Sequence, residues 1–223
     1  PCDFLVDEDY KKIFSDNGYT KFNSKSFLAD LDLTLDELWS NVSKKARGDV
    51  NRAKRREVQA KVLETIEEIN DFVNLNKEWA KAKDLTITNP EKQKEIFWKN
   101  HKSGIDKIFL AYKERKLIAG LRLGCFNKTA HTNFVINSYD VESNLGGTLL
   151  TWYAVEWAKT NNFGIYDFSG GRVAASLLSY KKKWGGKETP YYIFRKIRKH
   201  SSYKLYSSVF NLIQKYHFLR SKK

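Results

Sequence analysis

The most constraining feature of this 223-residue chain is a change of period after His101. Upstream, apolar residues recur at helical spacing. Downstream, three runs alternate with a period of two: Lys107–Lys113, Lys116–Phe126 and Thr129–Tyr139. Two-residue turns, Glu114-Arg115 and Asn127-Lys128, separate them, so they predict an antiparallel meander.

The segments on either side decide the fold class. Ser26–Asp32 alternates like a short strand. Thr34 with Glu37 forms a capping-box pattern, and Leu35, Leu38, Trp39 and Val42 give the helix that follows an apolar stripe. This helix is expected to run on through the basic block that ends at Arg56. Val58–Leu63 reads as a strand and Glu64–Lys83 as a helix. Asn89-Pro90 opens another helix, with a cap followed by proline at the first helical position. After the meander, Asn144-Leu145-Gly146-Gly147 leads into a helix carrying Leu149, Leu150, Tyr153, Val155, Trp157 and Ala158. A short strand at Gly164–Phe168, a helix near Arg172–Lys183 and a strand at Tyr191–Arg195 follow. A basic amphipathic helix, Tyr203–Arg220, closes the chain. The order is that of an α+β fold. The expected organisation is an N-terminal strand and helix portion over 1–56, a main domain over 57–198 and the C-terminal helix over 199–223.

The charge narrows the partners. The net charge is +14, and it is concentrated in two blocks. Ser43–Arg56 carries +6 and Lys181–Lys223 carries +12, leaving −4 on the rest. Two basic blocks on a mildly acidic body imply an anionic partner: nucleotide phosphates, tRNA or an anionic membrane surface. A solvated face made for solubility is the competing explanation. Cys2 and Cys125 form no spacing motif, which points to a reducing, cytoplasmic setting without a zinc site. His101, His131, His200 and His217 show no metal-ligand spacing, and no Ser-x-Gly elbow is present.

Tyr166–Gly186, YDFSGGRVAASLLSYKKKWGG, is the most specific stretch. It resembles the signature of the Fem-type peptidoglycan-bridge aminoacyltransferases and their small relatives: YDF-x-G-G, then aromatic-Lys-x-x-aromatic-Gly. Leu35–Lys54 is similar to a helix of the same family, with the pattern S-x-K-x-R-x-x-[IV]-x-[RK]-A-x-[KR]. Ser43, Lys45, Arg47, Val50, Arg52, Ala53 and Lys54 match it. The resemblance spans Ser26 to Tyr192. It implies a GNAT-like (acyl-CoA N-acyltransferase) fold: a central mixed sheet with an antiparallel meander, flanked by helices. In that fold the last meander strand and the next strand splay apart to admit an acyl carrier, and the following helix points its N-terminus at the carrier's phosphates. The usual pattern at that helix start is Q/R-x-x-G-x-G/A, whereas this chain has Ser143-Asn144-Leu145-Gly146-Gly147-Thr148.

The implied reaction is attack of an amine or hydroxyl on an activated acyl group, with acyl-CoA or aminoacyl-tRNA as donor and no metal. The implied acceptor is an anionic nucleotide- or lipid-linked glycan precursor of the bacterial cell wall or surface. Such a reaction needs a stabiliser of negative charge, a proton acceptor and a grip on anionic substrates. Lys181 is the leading catalytic candidate; membership of a solvated lysine run is the alternative. Asp167 is a base or substrate anchor, or else closes a turn on the Ser169-Gly170 backbone. Asp140 and Glu142 follow the third meander strand as further proton acceptors. Asn144, Gly146, Gly147 and Thr148 are the candidate donor-binding turn. Arg47 and Arg52 are placed to hold phosphates, or else to pair with acidic side chains. Tyr139, Gly170 and Trp184 complete the substrate-binding set. The C-terminal helix either lies on the inner face of an anionic membrane or packs on the domain. A non-catalytic nucleic-acid- or membrane-binding module on the same scaffold is the competing function. It predicts Lys181 and Asp167 lying apart, whereas a transferase predicts that they share one cleft.

Overall fold

A computed structural model describes residues 8–85, 89–139, 143–170 and 175–196. The chain divides into two compact units, one formed essentially by Lys25–Thr189 and the other by Asp3–Ser24 with Pro190–Lys223. In the second unit, helix α1 (Glu8–Asp16) places Phe14 in a stack on Phe194, with ring centroids 4.5 Å apart. Lys21 Nζ lies 3.8 Å from the centre of the Tyr192 ring.

The described strands form a mixed α+β sheet of seven strands. They are β1 (Thr20–Asp30), β2 (Gln59–Val62), β3 (Asp106–Lys113), β4 (Lys116–Phe126), β5 (Thr129–Asn137), β6 (Ile165–Gly170) and β7 (Lys187–Arg195), in spatial order 2-3-4-5-6-1-7. β3, β4 and β5 pair antiparallel in succession, joined by the tight turns read from the sequence. All four residues of those turns take positive φ, between 40° and 66°, which suits the right-handed twist of the flanking strands. β5 and β6 run parallel, and β1 lies antiparallel beside β6.

The helix expected from Thr34 through the basic block is two helices, α2 (Leu35–Asn41) and α3 (Lys44–Arg55). Val42 is extended, and the Ser43 hydroxyl accepts from the Ala46 N–H, so a new helix is capped there. The Thr34–Glu37 capping box forms as its residues predict. α4 (Ile66–Ala82) carries a second capping box, Thr65 with Glu68. α5 (Pro90–Ser103) is capped by Asn89 and ended by Gly104 in the left-handed region. α6 (Ser143–Thr160) and α7 (Ala175–Lys182) complete the described helices. The expected C-terminal helix over 203–220 lies outside the described residues.

The two faces of the sheet carry separate cores. On one face α2, α3 and α6 cover Phe109, Ala119, Leu121, Ala130, Tyr166 and Phe168. On the other, α4 and α5 cover Ile108, Leu110 and Ile136 with Phe72 and Phe97. Helix α6 is apolar almost all round because it is packed between the sheet and α3. Its glycines permit that approach. A Cβ on Gly146 would stand 2.8 Å from Ala119 Cβ, and one on Gly147 would stand 2.5 Å from Asn137 Oδ1.

Candidate active site

The parallel pairing of β5 and β6 is short. Thr129 faces Ile165, Ala130 faces Tyr166 and His131 faces Asp167; beyond that register the ladder ends while both strands continue. Side chains alternate across a strand, so the identity of the buried neighbours fixes which way the site residues point. Tyr166 and Phe168 lie in the core beneath α6, which turns Asp167 to the opposite face. The same alternation puts His131 on that face, between buried Ala130 and Thr132, and Ser26 beside buried Phe27.

These three side chains meet. Asp167 is 7% exposed. Its Oδ2 lies 2.9 Å from His131 Nδ1, and its Oδ1 accepts from the Ser169 N–H at 2.7 Å. Oδ1 also accepts a close hydrogen bond from the Ser26 hydroxyl. Burial opposes ionisation of this carboxyl. The hydrogen bonds from His131 and Ser26, the attraction of His131 and the Ser169 N–H outweigh it, and the pKa sits below the ordinary aspartate value. The bond to Ser169 also closes the local turn, where Ser169 has φ +67°. Asp167 thus makes the turn contact and faces the strand parting as well.

Lys181, on α7, is half-buried. Burial lowers its pKa from the usual lysine value, and the negative field of Asp167 pulls it partly back. The ammonium lies within electrostatic reach of the carboxylate. Its neighbour Tyr180 points the other way, toward α6, with its hydroxyl 3.4 Å from Thr151 Oγ1 and in contact with Thr148. Burial raises the pKa of this phenol, so it stays protonated.

The remaining sequence candidates are placed as follows. Gly147 donates its N–H to Asn137 Oδ1 at 2.9 Å, and with Gly146 it faces the sheet. Asn144 is exposed and Thr148 is buried. Arg47 donates from Nη1 to the carbonyls of Trp39 (3.2 Å) and Ser40 (2.8 Å), closing the C-terminal end of α2. Arg52 pairs with Asp49 at 2.7 Å on the exposed side of α3. Tyr139 is exposed and donates to the Trp79 carbonyl at 3.3 Å. A Cβ on Gly170 would fall 1.7 Å from the Lys25 carbonyl oxygen, so the β1–β6 approach at this position requires glycine. Asp140 and Glu142 lie outside the described residues.

Trp184 is buried and stacks on Phe168 at 6.4 Å with 16° between the ring planes. With Gly185, Leu28, Leu38, Asn41 and Ile165 it lines a cleft of about 700 Å³ near the Asn127-Lys128 turn. Asp167, His131 and Lys181 do not line that cleft. Gly185, at φ +79°, sits where a Cβ would be 2.7 Å from the Asn41 carbonyl oxygen. The Ser43 N–H donates to the Lys183 carbonyl at 2.8 Å. The two segments carrying the sequence resemblance are therefore joined at the start of α3.

His131 and Ser26 are partners of Asp167 that the sequence did not single out. The available signal was alternation: an Asp between Tyr and Phe, and a His between Ala and Thr, must face away from the core. Among the described residues no group of His, Cys, Asp and Glu is arranged to hold a metal. Burial pushes the Cys125 thiol up to about 11, so it is no thiolate nucleophile at neutral pH. No described helix is long and apolar enough to cross a membrane.

No family model and no curated protein matches this sequence. Solved structures do match. FemX aligns at 13% identity with a TM-score of 0.68, over 88% of this chain and 70% of its own. The C-terminal domain of a protein described as a lysylphosphatidylglycerol synthetase, from Agrobacterium fabrum, aligns at 15% identity and TM-score 0.62, over 89% of this chain and 68% of its own. L-PGS from Bacillus licheniformis aligns at 16% identity and TM-score 0.60, over 92% and 70%. This chain thus shares its fold with FemX and these two structures.

Proposed function

We propose that this protein is an acyl- or aminoacyl-transferase that moves an activated acyl group onto an amine or hydroxyl of a cell-wall or surface-glycan precursor. The observation that supports this reading is the buried Asp167 carboxylate at the end of the β5–β6 ladder, held by His131, Ser26 and the Ser169 N–H, with α7, which carries Lys181, packed against β6. A non-catalytic module gives no reason to bury a carboxylate among a histidine and a hydroxyl within the attraction of a half-buried lysine. A transferase gives one. The carbonyl oxygen of a donor gains negative charge as it is attacked, and a fixed ammonium in a partly dry site stabilises that charge.

On this reading the GNAT-like arrangement sets a donor beside α6 and α7 and an acceptor on the opposite face, where Asp167 points. The parting between the strands lets the two meet. The donor is an acyl-CoA or an aminoacyl-tRNA, and the exposed cations of α3 suit its phosphates. The likeness to FemX and the synthetases supports a transfer of this type, through the fold.

The test is a thermal-shift and mass-spectrometric screen of the protein with acyl-CoAs, aminoacyl-tRNAs and nucleotide sugars. Stabilisation by one donor class and appearance of acylated sugar are expected. Silence toward all of them would sink the proposal. Lys181→Ala is expected to slow transfer at least about tenfold, about 1.4 kcal/mol in barrier.

A further inference from the structure

An amine or alcohol that attacks an acyl carbon has to lose a proton, and the transferase reading, on which this inference rests, leaves that step without an agent. Lys181 suits an anion better than a proton. Asp167 is buried, and its two oxygens already accept from three donors. Its lowered pKa also makes it a weak base, since a carboxylate stabilised by hydrogen bonds holds a proton poorly.

We infer that His131 is the proton acceptor, with Asp167 its positioning residue and Ser26 the group that holds Asp167 in place. The 2.9 Å contact between Asp167 Oδ2 and His131 Nδ1 sets the tautomer. Against an ionised carboxylate Nδ1 carries the hydrogen, so Nε2 keeps its lone pair. The His131 side chain is 42% exposed, and among the described residues Nε2 has no hydrogen-bond partner. The other described histidine is arranged differently. His101 accepts the Ile108 N–H on Nδ1 at 3.1 Å and is 5% exposed, so its lone pair is already used in holding α5 to β3.

The step balances within these groups. The nucleophile's proton passes to Nε2 as its electron pair forms the bond to the acyl carbon. The carbonyl π pair moves onto oxygen, next to Lys181. When the carbonyl reforms, the bond to the donor's thioester sulfur or ester oxygen breaks, and the imidazolium returns the proton to that atom. His131 ends as it began, and no oxidant, reductant or metal takes part.

His131→Asn separates this role from a structural one, because the Asn amide still donates to Asp167 but offers no base. Acetyl-CoA and alanyl-tRNA serve as donor probes, and glucosamine and hydroxylamine as nucleophiles. Both lose a proton on acylation, but hydroxylamine, an alpha-nucleophile, attacks readily without a base, whereas glucosamine depends on one. His131→Asn is expected to lower transfer to glucosamine about 100-fold or more, while transfer to hydroxylamine stays within about threefold. Imidazole added to His131→Ala is expected to restore part of the glucosamine reaction. Unchanged glucosamine transfer, or equal losses with both nucleophiles, overturns the role of His131 and leaves the transferase reading standing. No transfer by the unaltered protein from either donor overturns both. Without any donor, diethyl pyrocarbonate is expected to modify His131 of the native protein, as located by peptide mass spectrometry. A His131 inert to the reagent overturns the free Nε2.

Discussion

Asp106 and Asp167 are both buried in this sheet, 2% and 7% exposed, yet they meet different partners. Asp106, at the start of β3, accepts from Arg122 Nη2 at 2.7 Å and Nε at 3.0 Å, and from Asn100 at 3.0 Å. The guanidinium in turn lies 5.0 Å from the centre of the Phe97 ring. That carboxylate faces a cation which never gives up its proton, on a side chain locked among aromatics. Asp167 faces a hydroxyl, a backbone N–H and an imidazole whose other nitrogen is open. The first arrangement fixes a corner of the fold. The second leaves its charge to act on groups that exchange protons. Burial alone does not distinguish a structural carboxylate from a chemical one; the ionisable character of its partner does.

The largest expected effect comes from breaking the Asp106 corner. Arg122→Ala strands a buried carboxylate and is expected to cost about 3 kcal/mol of stability, measured by urea unfolding. Asp167→Asn should invert that pattern. The Asn side chain can still accept from Ser26 and Ser169, so stability should fall by only about 1 kcal/mol. Its amide would donate to His131 Nδ1 and force the hydrogen onto Nε2, so transfer should fall about 100-fold. An equal loss of transfer in Asp106→Asn would erase the distinction between the two corners.

Acid should sharpen it further. The Asp167 pKa is depressed in the folded state, so its contribution is complete above the ordinary aspartate value and is lost as the pH falls through the folded one. The unfolding midpoint of Asp167→Asn should therefore depend less on pH below about 4 than that of the unaltered protein. Lys181 has the same sign at the other end of the pH scale. Its folded pKa is also lowered, so the folded state binds fewer protons than the unfolded one between that value and about 10.5, and stability should rise with pH across the window. Lys181→Met should flatten that rise in thermal unfolding at alkaline pH. The smallest effect is expected at the exposed Arg52–Asp49 pair, where Arg52→Ala should change stability by less than about 0.5 kcal/mol in the same measurement.

Local chemistry made much of the fold legible. The capping box at Thr34, the Asn89-Pro90 start and the two-residue turns of the meander each specify backbone geometry within a few residues, and each is found. Ser43 carried the same kind of signal, but the apolar stripe across it suggests continuity, so the break between α2 and α3 was not legible. Helix α1 was not read either: Tyr10, Ile13 and Phe14 fall at helical spacing, but its nine residues carry no cap signal that marks a start. The site divides along the same line. Asp167 and Lys181 belong to one contiguous stretch and stood out. His131 lies 36 positions from Asp167 and Ser26 lies 141, and nothing local tells which strands will be neighbours. Alternation shows the face a side chain takes, whereas contact across the sheet depends on strand order.

That strand order has a consequence for synthesis. β1 is made early, but its place is between β6 and β7, and it meets β6 at Ser26 and Gly170. As the chain leaves the ribosome, the strand carrying Phe27, Ala29 and Leu31 lacks its β6 partner until more than 130 further residues have emerged. The sheet therefore closes late, through its most distant contacts, and such closure is slow. Until then one edge of that strand, with its backbone N–H and C=O groups, waits for a partner made far later in the chain.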